Sequence, residues 1–413
     1  MSKIKVRNFG PIKEGYREND GWIDIKKVTV FIGNQGSGKS TIAKLISTFM
    51  WIEKSLTRGD YTTKHFERKN KLNKSYLTYH RIENYLSSLK KKEKTLIEYR
   101  GDSFHITFKD GSLNIEDAKN GDYPLPQIMY VPAERNFIAN VKNAKALKLT
   151  ADSLIEFVTE YNNALNEMKG TLPLPINEVD VEYNNRNDVV YIEGKGYRIK
   201  LTEASSGLQS LVPLYLVSWY LGNSVKYQSK KEPMTSEQRE RFRKQVQAIN
   251  ANNGLTEEQK RIAISEEAKK FNKTAFINIV EEPEQNLFPS SQRQMLNSLL
   301  SINNSSAGNK LIMTTHSPYL INYLTLAVKA ESLIEQIPHK TKRDVISDIS
   351  KIVPTDSMIK SNDLSVYEFN ENDGTIQLLE TYDGLPSDEN YLNQGLSESN
   401  ELFAQLLEIQ QDL

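Results

Sequence analysis

The sequence contains no cysteine among its 413 residues. That excludes disulfides, a thiolate nucleophile and a zinc site of thiolate type. It carries no excess of either charge, since 53 Lys and Arg offset 53 Asp and Glu. A global field of one sign therefore marks no partner, although a local basic face is compatible with the balance. Long apolar runs are missing too. The most apolar stretch, Leu211 to Leu221, is interrupted by Pro213, Ser218 and a tryptophan-tyrosine pair, and is too short to cross a bilayer. Met1-Ser2-Lys3-Ile4-Lys5-Val6 has no apolar core of secretory type. Internal repeats and low-complexity tracts do not occur. These absences lead to the expectation of a cytoplasmic protein with no membrane partner, long enough for two or three domains or one large domain with insertions.

The most informative stretch present is Gly33-Asn34-Gln35-Gly36-Ser37-Gly38-Lys39-Ser40-Thr41, which reads G-x-x-x-x-G-K-S. Lys27 to Ile32 before it is β-branched and apolar, of strand type. After it, Ile42, Leu45, Ile46, Phe49 and Met50 recur at helical spacing. Strand, glycine loop and helix are the context in which this pattern binds a nucleoside triphosphate. Backbone N–H groups of Asn34, Gly36, Ser37 and Gly38 would turn around the phosphates, with Thr41 in the first helical turn. Lys39 would bridge phosphate oxygens, and the Ser40 hydroxyl would reach Mg²⁺.

Around this loop the chain alternates strand and helix signals. Ile4 to Phe9 reads as an edge strand, paired back by Trp22 to Ile25. Between Lys64 and Lys94, ten Lys or Arg face three acidic residues, and Leu72, Tyr76, Tyr79, Ile82, Leu86 and Leu89 recur every three or four positions. That predicts a basic helical segment over 62–95 whose tyrosines pack inward on one stripe. Thr95 to Arg100 and Phe104 to Phe108 predict a hairpin, Gln127 to Pro132 a buried strand ending in Ala133-Glu134-Arg135-Asn136, and 144–168 a helix. Val189 to Ile192 and Tyr197 to Leu201 predict a second hairpin. The polar stretch 224–273 reads as an inserted helical hairpin, with a seam of Phe242, Val246 and Ile249 and a capping box at Thr256 and Gln259. Its narrow seam predicts that it projects from the body and serves assembly or effector docking.

Two later strands carry chemistry. Ala275 to Val280 is a buried run that ends in Glu281-Glu282-Pro283-Glu284. Three carboxylates at one strand tip repel one another unless a cation lies among them. Glu281 is the expected Mg²⁺ ligand and Glu282 the group that polarises an attacking water. Lys310 to Thr315 is another strand running into His316-Ser317-Pro318, and His316 at its tip is within reach of a γ-phosphate oxygen.

In this order the motifs resemble the ABC-type ATPases, specifically the RecF, SMC and overcoming-lysogenization-defect branch. Lys5-Val6-Arg7-Asn8-Phe9-Gly10-Pro11-Ile12 resembles that branch's first strand, Gly33 to Ser40 its Walker A, and Ser205-Ser206-Gly207-Leu208-Gln209 its signature. Val280 to Glu284 with Leu287 and Pro289 resembles Walker B and the D-loop, and Thr315 to Pro318 the H-loop. The resemblance implies an α/β P-loop ATPase head, with mixed sheets plus a helical lobe, and ATP and Mg²⁺ as ligands. It also implies a head-to-head dimer in which Ser205, Ser206, Gly207 and Gln209 of one copy face the ATP of the other. Leu208 departs from the usual second signature glycine, Glu281 replaces the Walker B aspartate, and no glutamine follows the strand at 128–132. Glu134, Arg135 or Asn136 would take that position, and slow turnover is expected.

The expected division is an N-terminal part of the head over 1–223, the insertion over 224–273, a C-terminal part over 274–330, and a closing hairpin with helices over 331–413. The last part includes a hairpin of Leu364 to Phe369 with Thr375 to Leu379 and a helix from Ser397 to Gln411. It shows neither room nor pattern for a Toprim nuclease, so any nuclease would be a separate chain. The leading expectation is an ATPase subunit whose nucleotide-gated dimerisation regulates a separate effector, by resemblance in anti-phage defence. The alternatives are a RecF-like DNA-binding repair ATPase that uses the basic segment, and an ATP-binding scaffold that does not hydrolyse.

Overall fold

The computed structural model describes residues 2–86, 94–118, 123, 125–141, 149, 151–228, 236–252, 254–256, 259–260, 263–264, 267, 273–337 and 342–411. A seven-stranded sheet runs through the centre. Five of its strands are parallel neighbours, in the spatial order β15 (Leu364–Phe369), β4 (Val28–Gly33), β14 (Lys310–Thr315), β13 (Ala275–Glu281) and β8 (Pro126–Val131). Beyond β15 lie β16 (Thr375–Leu378), antiparallel to it, and β2 (Gly15–Tyr16). The fold is α/β.

Strand period divides the apolar residues between two cores. Val28, Val30 and Ile32 of β4 face one side and Phe31 the other. The Phe31 side is covered by helix α1 (Lys39–Arg58) and by a five-stranded antiparallel sheet ordered β3 (Ile23–Asp24), β1 (Lys3–Arg7), β5 (Leu96–Arg100), β6 (Phe104–Lys109) and β7 (Ser112–Asp117). The Val30 side is covered by α2 (Asp152–Glu167), α3 (Ser206–Gln228), α5 (Pro289–Asn304) and α6 (Pro318–Gln336). A small sheet of β9 (Thr171–Pro173), β10 (Asp180–Asn184), β11 (Val189–Gly194) and β12 (Tyr197–Lys200) completes that side. Each fully buried Val, Ile or Phe in these cores contributes roughly 1.5–3 kcal/mol. Pro213 lies inside α3 and removes one helical N–H without ending the helix. Among the described residues, no helix is long and apolar enough to cross a membrane.

Several expectations need correction. Strand β1 is not an edge strand: it lies between β3 and β5, and β3 is the edge. The segment 62–95 is not one helix. It is a chain of short turns, Thr63–Phe66, Leu72–Leu77, Thr78–His80 and Glu83–Tyr85. Asn70 and Arg81 adopt left-handed backbone, which ends the helical path on either side of 71–80. Phe66, Leu72, Leu77 and Ile82 are buried, while Tyr76 packs on Trp51 and Phe66. Lys64, Arg68, Lys69, Lys74 and Arg81 stay exposed. Lys90, Lys91 and Lys92 fall outside the described residues, as does the start of the helix expected from 144.

Helix α3 runs on past 223 and α6 past 330. Strand β9 pairs with β10 over Thr171 to Pro173. The final helix begins at Tyr391 rather than Ser397. In the insertion, the Thr256 and Gln259 capping box forms both of its hydrogen bonds. Helix α4 (Ser236–Ala251) does not project. Its Phe242 and Val246 are buried with Ile264 against Tyr61 and Leu125, and the Asn250 side-chain amide donates to the Asp60 carbonyl at 3.0 Å. The seam is consumed by docking onto the body.

A buried carboxylate ties α1 to the β5–β6 turn. Glu53, 1% exposed, accepts hydrogen bonds from the Tyr99 hydroxyl at 2.7 Å and from the Ser103 and Phe104 N–H groups at 2.7 and 3.3 Å. Burial pushes its pKa up, opposed by those hydrogen bonds. Glu53→Ala orphans three donors and opens a cavity, so chemical denaturation should report a loss of about 3 kcal/mol. Glu53→Gln keeps acceptor and shape and should be neutral or stabilising. Because the folded pKa lies above the unfolded one, wild-type stability falls as pH rises through it. The advantage of Gln should therefore grow over that range.

Candidate functional site

Because β15, β4, β14, β13 and β8 are parallel, their carboxyl ends share one edge of the sheet, which is where open α/β sheets bind ligands. The chain places a polar segment at the end of each. Gly33 to Gly38 follows β4, His316 follows β14, Glu281 and Glu282 close β13, Ala133 to Asn140 follows β8, and Asn370-Glu371 follows β15.

The loop after β4 depends on backbone that side chains disfavour. Gly33 has φ +137°, and a Cβ there would lie 2.4 Å from the Phe369 carbonyl oxygen, while Gly38 has φ +109° at the start of α1. Inside the loop the Lys39 ammonium, 5% exposed, donates to the carbonyls of Gly33 at 2.8 Å and Asn34 at 2.7 Å. Burial lowers its pKa to about 8, opposed by the charges of Glu282, Glu284, Glu371 and Glu281. Ser37 turns its hydroxyl to the Asn34 carbonyl. Ser40 and Thr41 stand in the first turn of α1. Asn34 and Gly36 line the loop, and the Asn34 amide donates to Glu371 at 2.9 Å. That bond holds the Glu371 carboxyl below the usual range.

The three acids after β13 have three different surroundings. Glu281 is buried, with one oxygen accepting from the Ala133 N–H at 3.2 Å and the other, Oε1, without a partner. The Tyr130 hydroxyl, also buried, is near enough to Glu281 for that residue's charge and hydrogen bonding to add to the rise that burial causes in its pKa. Glu282 reaches the solvent side and meets His316 Nε2 at 3.4 Å. The hydrogen bond from His316 holds its carboxyl below the ordinary carboxylate range, against a smaller opposing effect of burial. Glu284 turns inward, accepting from the Thr315 hydroxyl and the His316 N–H, each at 2.8 Å. Burial raises its pKa. The sequence suggests one repelling trio; the structure makes Glu284 a brace for the loop that carries His316.

The orphaned Glu281 Oε1 is a hard oxygen donor of the kind Mg²⁺ takes, and the Ser40 hydroxyl is a second. Among the described residues, no three His, Cys, Asp or Glu side chains converge to hold a metal unaided. A cation held here would therefore be shared with a phosphate, as Mg²⁺ commonly is.

Ser205 and Ser206 are exposed at the N-terminus of α3, and Gly207 is buried against the loop after β13, where a Cβ would lie 2.7 Å from the Asn286 carbonyl oxygen. Gln209 bonds backward to carbonyls of Leu201, Thr202 and Ala204. No hydrogen bond among the described residues joins these four to the glycine loop. Glu371 and Tyr391, whose hydroxyl also donates to Glu371 at 2.9 Å, are absent from the sequence reading. Their proximity to the loop comes from β15 pairing with β4 across more than 300 residues of chain.

Solved structures offer distant similarities. The SMC head domain from Thermotoga maritima aligns at 11% identity and TM-score 0.38, covering 92% of this chain and 98% of that one. A dimeric bacterial ABC transporter cassette aligns at 10% and 0.21, covering 78% and 91%. An ATP-binding cassette in a post-hydrolysis state bound to ADP and Pi aligns at 10% and 0.25, covering 92% and 100%. All three TM-scores lie below 0.5, and the fold is defined by this chain's own strand order and glycine loop. A search of curated proteins finds no match. The family model for the AAA ATPase domain matches residues 61–321, more than half of the chain. The match spans Arg135, the signature-like turn, the paired glutamates and His316; the glycine loop precedes it on the neighbouring strand. The chain belongs to the AAA ATPase domain family.

Proposed function

We propose that the chain is a Mg²⁺-dependent ATP-hydrolysing switch of the RecF, SMC and overcoming-lysogenization-defect branch, closing head to head on ATP and opening on hydrolysis. The observation that carries the reading is the convergence of Lys39, Glu281, Glu282 and His316 at the ends of three neighbouring parallel strands.

On ATP binding, Lys39 exchanges its two loop carbonyls for phosphate oxygens. Ser40 and Glu281 would hold Mg²⁺, which neutralises charge on the β- and γ-phosphates when bound. Glu282, kept ionised by His316, accepts a proton from the attacking water. The water oxygen bonds to the γ-phosphorus, and the bond to the bridging oxygen breaks to leave ADP. Ser205, Ser206, Gly207 and Gln209 are assigned to the partner copy's γ-phosphate. Two exposed serines at a helix N-terminus, unconnected to their own glycine loop, support that assignment. An isolated copy should then turn over slowly. The regulated target is taken to be a separate effector such as a nuclease, in anti-phage defence. A DNA-repair role is the second reading, supported by the exposed Lys64, Arg68, Lys69, Lys74 and Arg81. Steep salt dependence of duplex binding would test it.

Lys39 supplies a pH signature. With its free pKa near 8, phosphate contact should raise that value. ATP affinity should therefore fall as pH rises past about 8, with proton uptake on binding. Calorimetry in two buffers of different ionisation enthalpy reads the uptake; a constant affinity from about pH 7 to 9 would count against it. The reading as a whole is tested by solution mass: Glu282→Gln should accumulate as an ATP-bound dimer.

A further inference from the structure

The turn after β8 contains Arg135, which at 0% exposure heads the large, fully buried side chains among the described residues. Among the described residues its guanidinium touches no carboxylate. It donates instead to four backbone carbonyls: Nε to Ser210 at 3.1 Å, Nη1 to Pro132 at 3.3 Å and to Glu281 at 2.7 Å, and Nη2 to Glu282 at 2.6 Å. Burial lowers its pKa to about 10, which leaves it cationic at neutral pH. A buried cation without a paired charge is costly unless its donors are satisfied. Here one rigid, planar fork joins three separate segments.

Two of those segments matter for chemistry. Glu282 has φ +45°, left-handed backbone in a residue that is not glycine. Its N–H donates to the Thr314 carbonyl at 2.9 Å, and its own carbonyl accepts from Arg135. The backbone of Glu282 is thereby held on both sides, and its carboxylate meets His316. Ser210 lies one turn into α3 from Ser206 and Gly207. The Asn286 amide donates to its hydroxyl at 3.2 Å, so the start of α3, the loop after β13 and Arg135 form one connected unit.

We propose that Arg135 is a positioning residue for hydrolysis. It couples the seating of α3's N-terminus to the left-handed backbone of Glu282, and so to the alignment of the Glu282 carboxylate. The inference rests on Glu282 being the group that accepts the water proton. Arg135 fills the place left by the missing glutamine but works through carbonyl oxygens of the catalytic strand rather than through a metal.

The test uses Arg135→Lys, which keeps the charge and loses the fork, with Arg135→Met as a second variant. Single-turnover hydrolysis, ATP binding and thermal melting are measured, alone and combined with Glu282→Gln. The expected result for Arg135→Lys is hydrolysis about 100-fold slower, the scale of a misplaced reacting group, with ATP affinity within about threefold of wild type. The double variant should be no slower than Glu282→Gln alone, because Arg135 acts through that side chain. Wild-type turnover in Arg135→Lys and Arg135→Met overturns the proposal. So does a loss of ATP affinity as large as the loss of rate, or a double variant slower than Glu282→Gln by the full single-variant factor. If Glu282→Gln itself hydrolyses at the wild-type rate, the reading beneath the proposal fails instead, and the proposal falls with it.

Discussion

Replacing Glu282 with glutamine is expected to slow ATP hydrolysis by about 100-fold or more, the usual contribution of a positioned general base, while ATP still binds. The amide preserves the size of the side chain and its contact with His316 Nε2, now at 3.4 Å, but cannot take a proton from water. Rate and binding should separate, with the loss falling on the chemical step. The wild-type pH profile follows from the same contact. His316 holds the Glu282 carboxyl below its ordinary range, so the active carboxylate is present above that depressed pKa and lost as pH falls through it. Activity should therefore persist to lower pH than an unperturbed glutamate would allow, and His316→Ala should move the acid limb upward. A wild-type rate already as slow as that of Glu282→Gln would assign the chain to the non-hydrolysing scaffold.

The second large effect is expected at Lys39. Lys39→Ala should weaken ATP binding by about 100-fold or more, the cost of removing one member of a buried, hydrogen-bonded charge pair. Folding should not suffer. The side chain is a desolvated cation held by the Gly33 and Asn34 carbonyls, and those carbonyls can turn to water when it goes. Nucleotide titration with a fluorescent ATP analogue measures the first expectation, and thermal melting without nucleotide the second. A variant that binds ATP normally would show that the loop's N–H groups suffice without the ammonium.

The parts of the site written in short stretches of sequence are legible there. The glycine loop lies between its apolar strand and α1 because the requirement for positive φ and the helical spacing are local. The strands ending at Glu281 and Thr315 are equally plain as short, mainly apolar runs. What pairs with what is not local. Nothing near Glu371 in the sequence announces that β15 lies beside β4 and brings that carboxylate to Asn34. Helical spacing over 62–95 is met by successive short turns as well as by one helix, and only the left-handed Asn70 and Arg81 separate the two. The seam of Phe242 and Val246 is correctly apolar, but a narrow stripe does not reveal that Tyr61 and Leu125 cover it. Arg135 is one of three candidates in the sequence. Its burial among carbonyls from β8, β13 and α3 singles it out.

The most direct test of an ATP-gated switch is the mass of the purified protein in solution, with and without ATP and Mg²⁺, for wild type and Glu282→Gln. The account predicts monomers without nucleotide, and a dimer that the variant traps with ATP while the wild type returns to monomer as ATP is consumed. A mass indifferent to nucleotide in both proteins would contradict it.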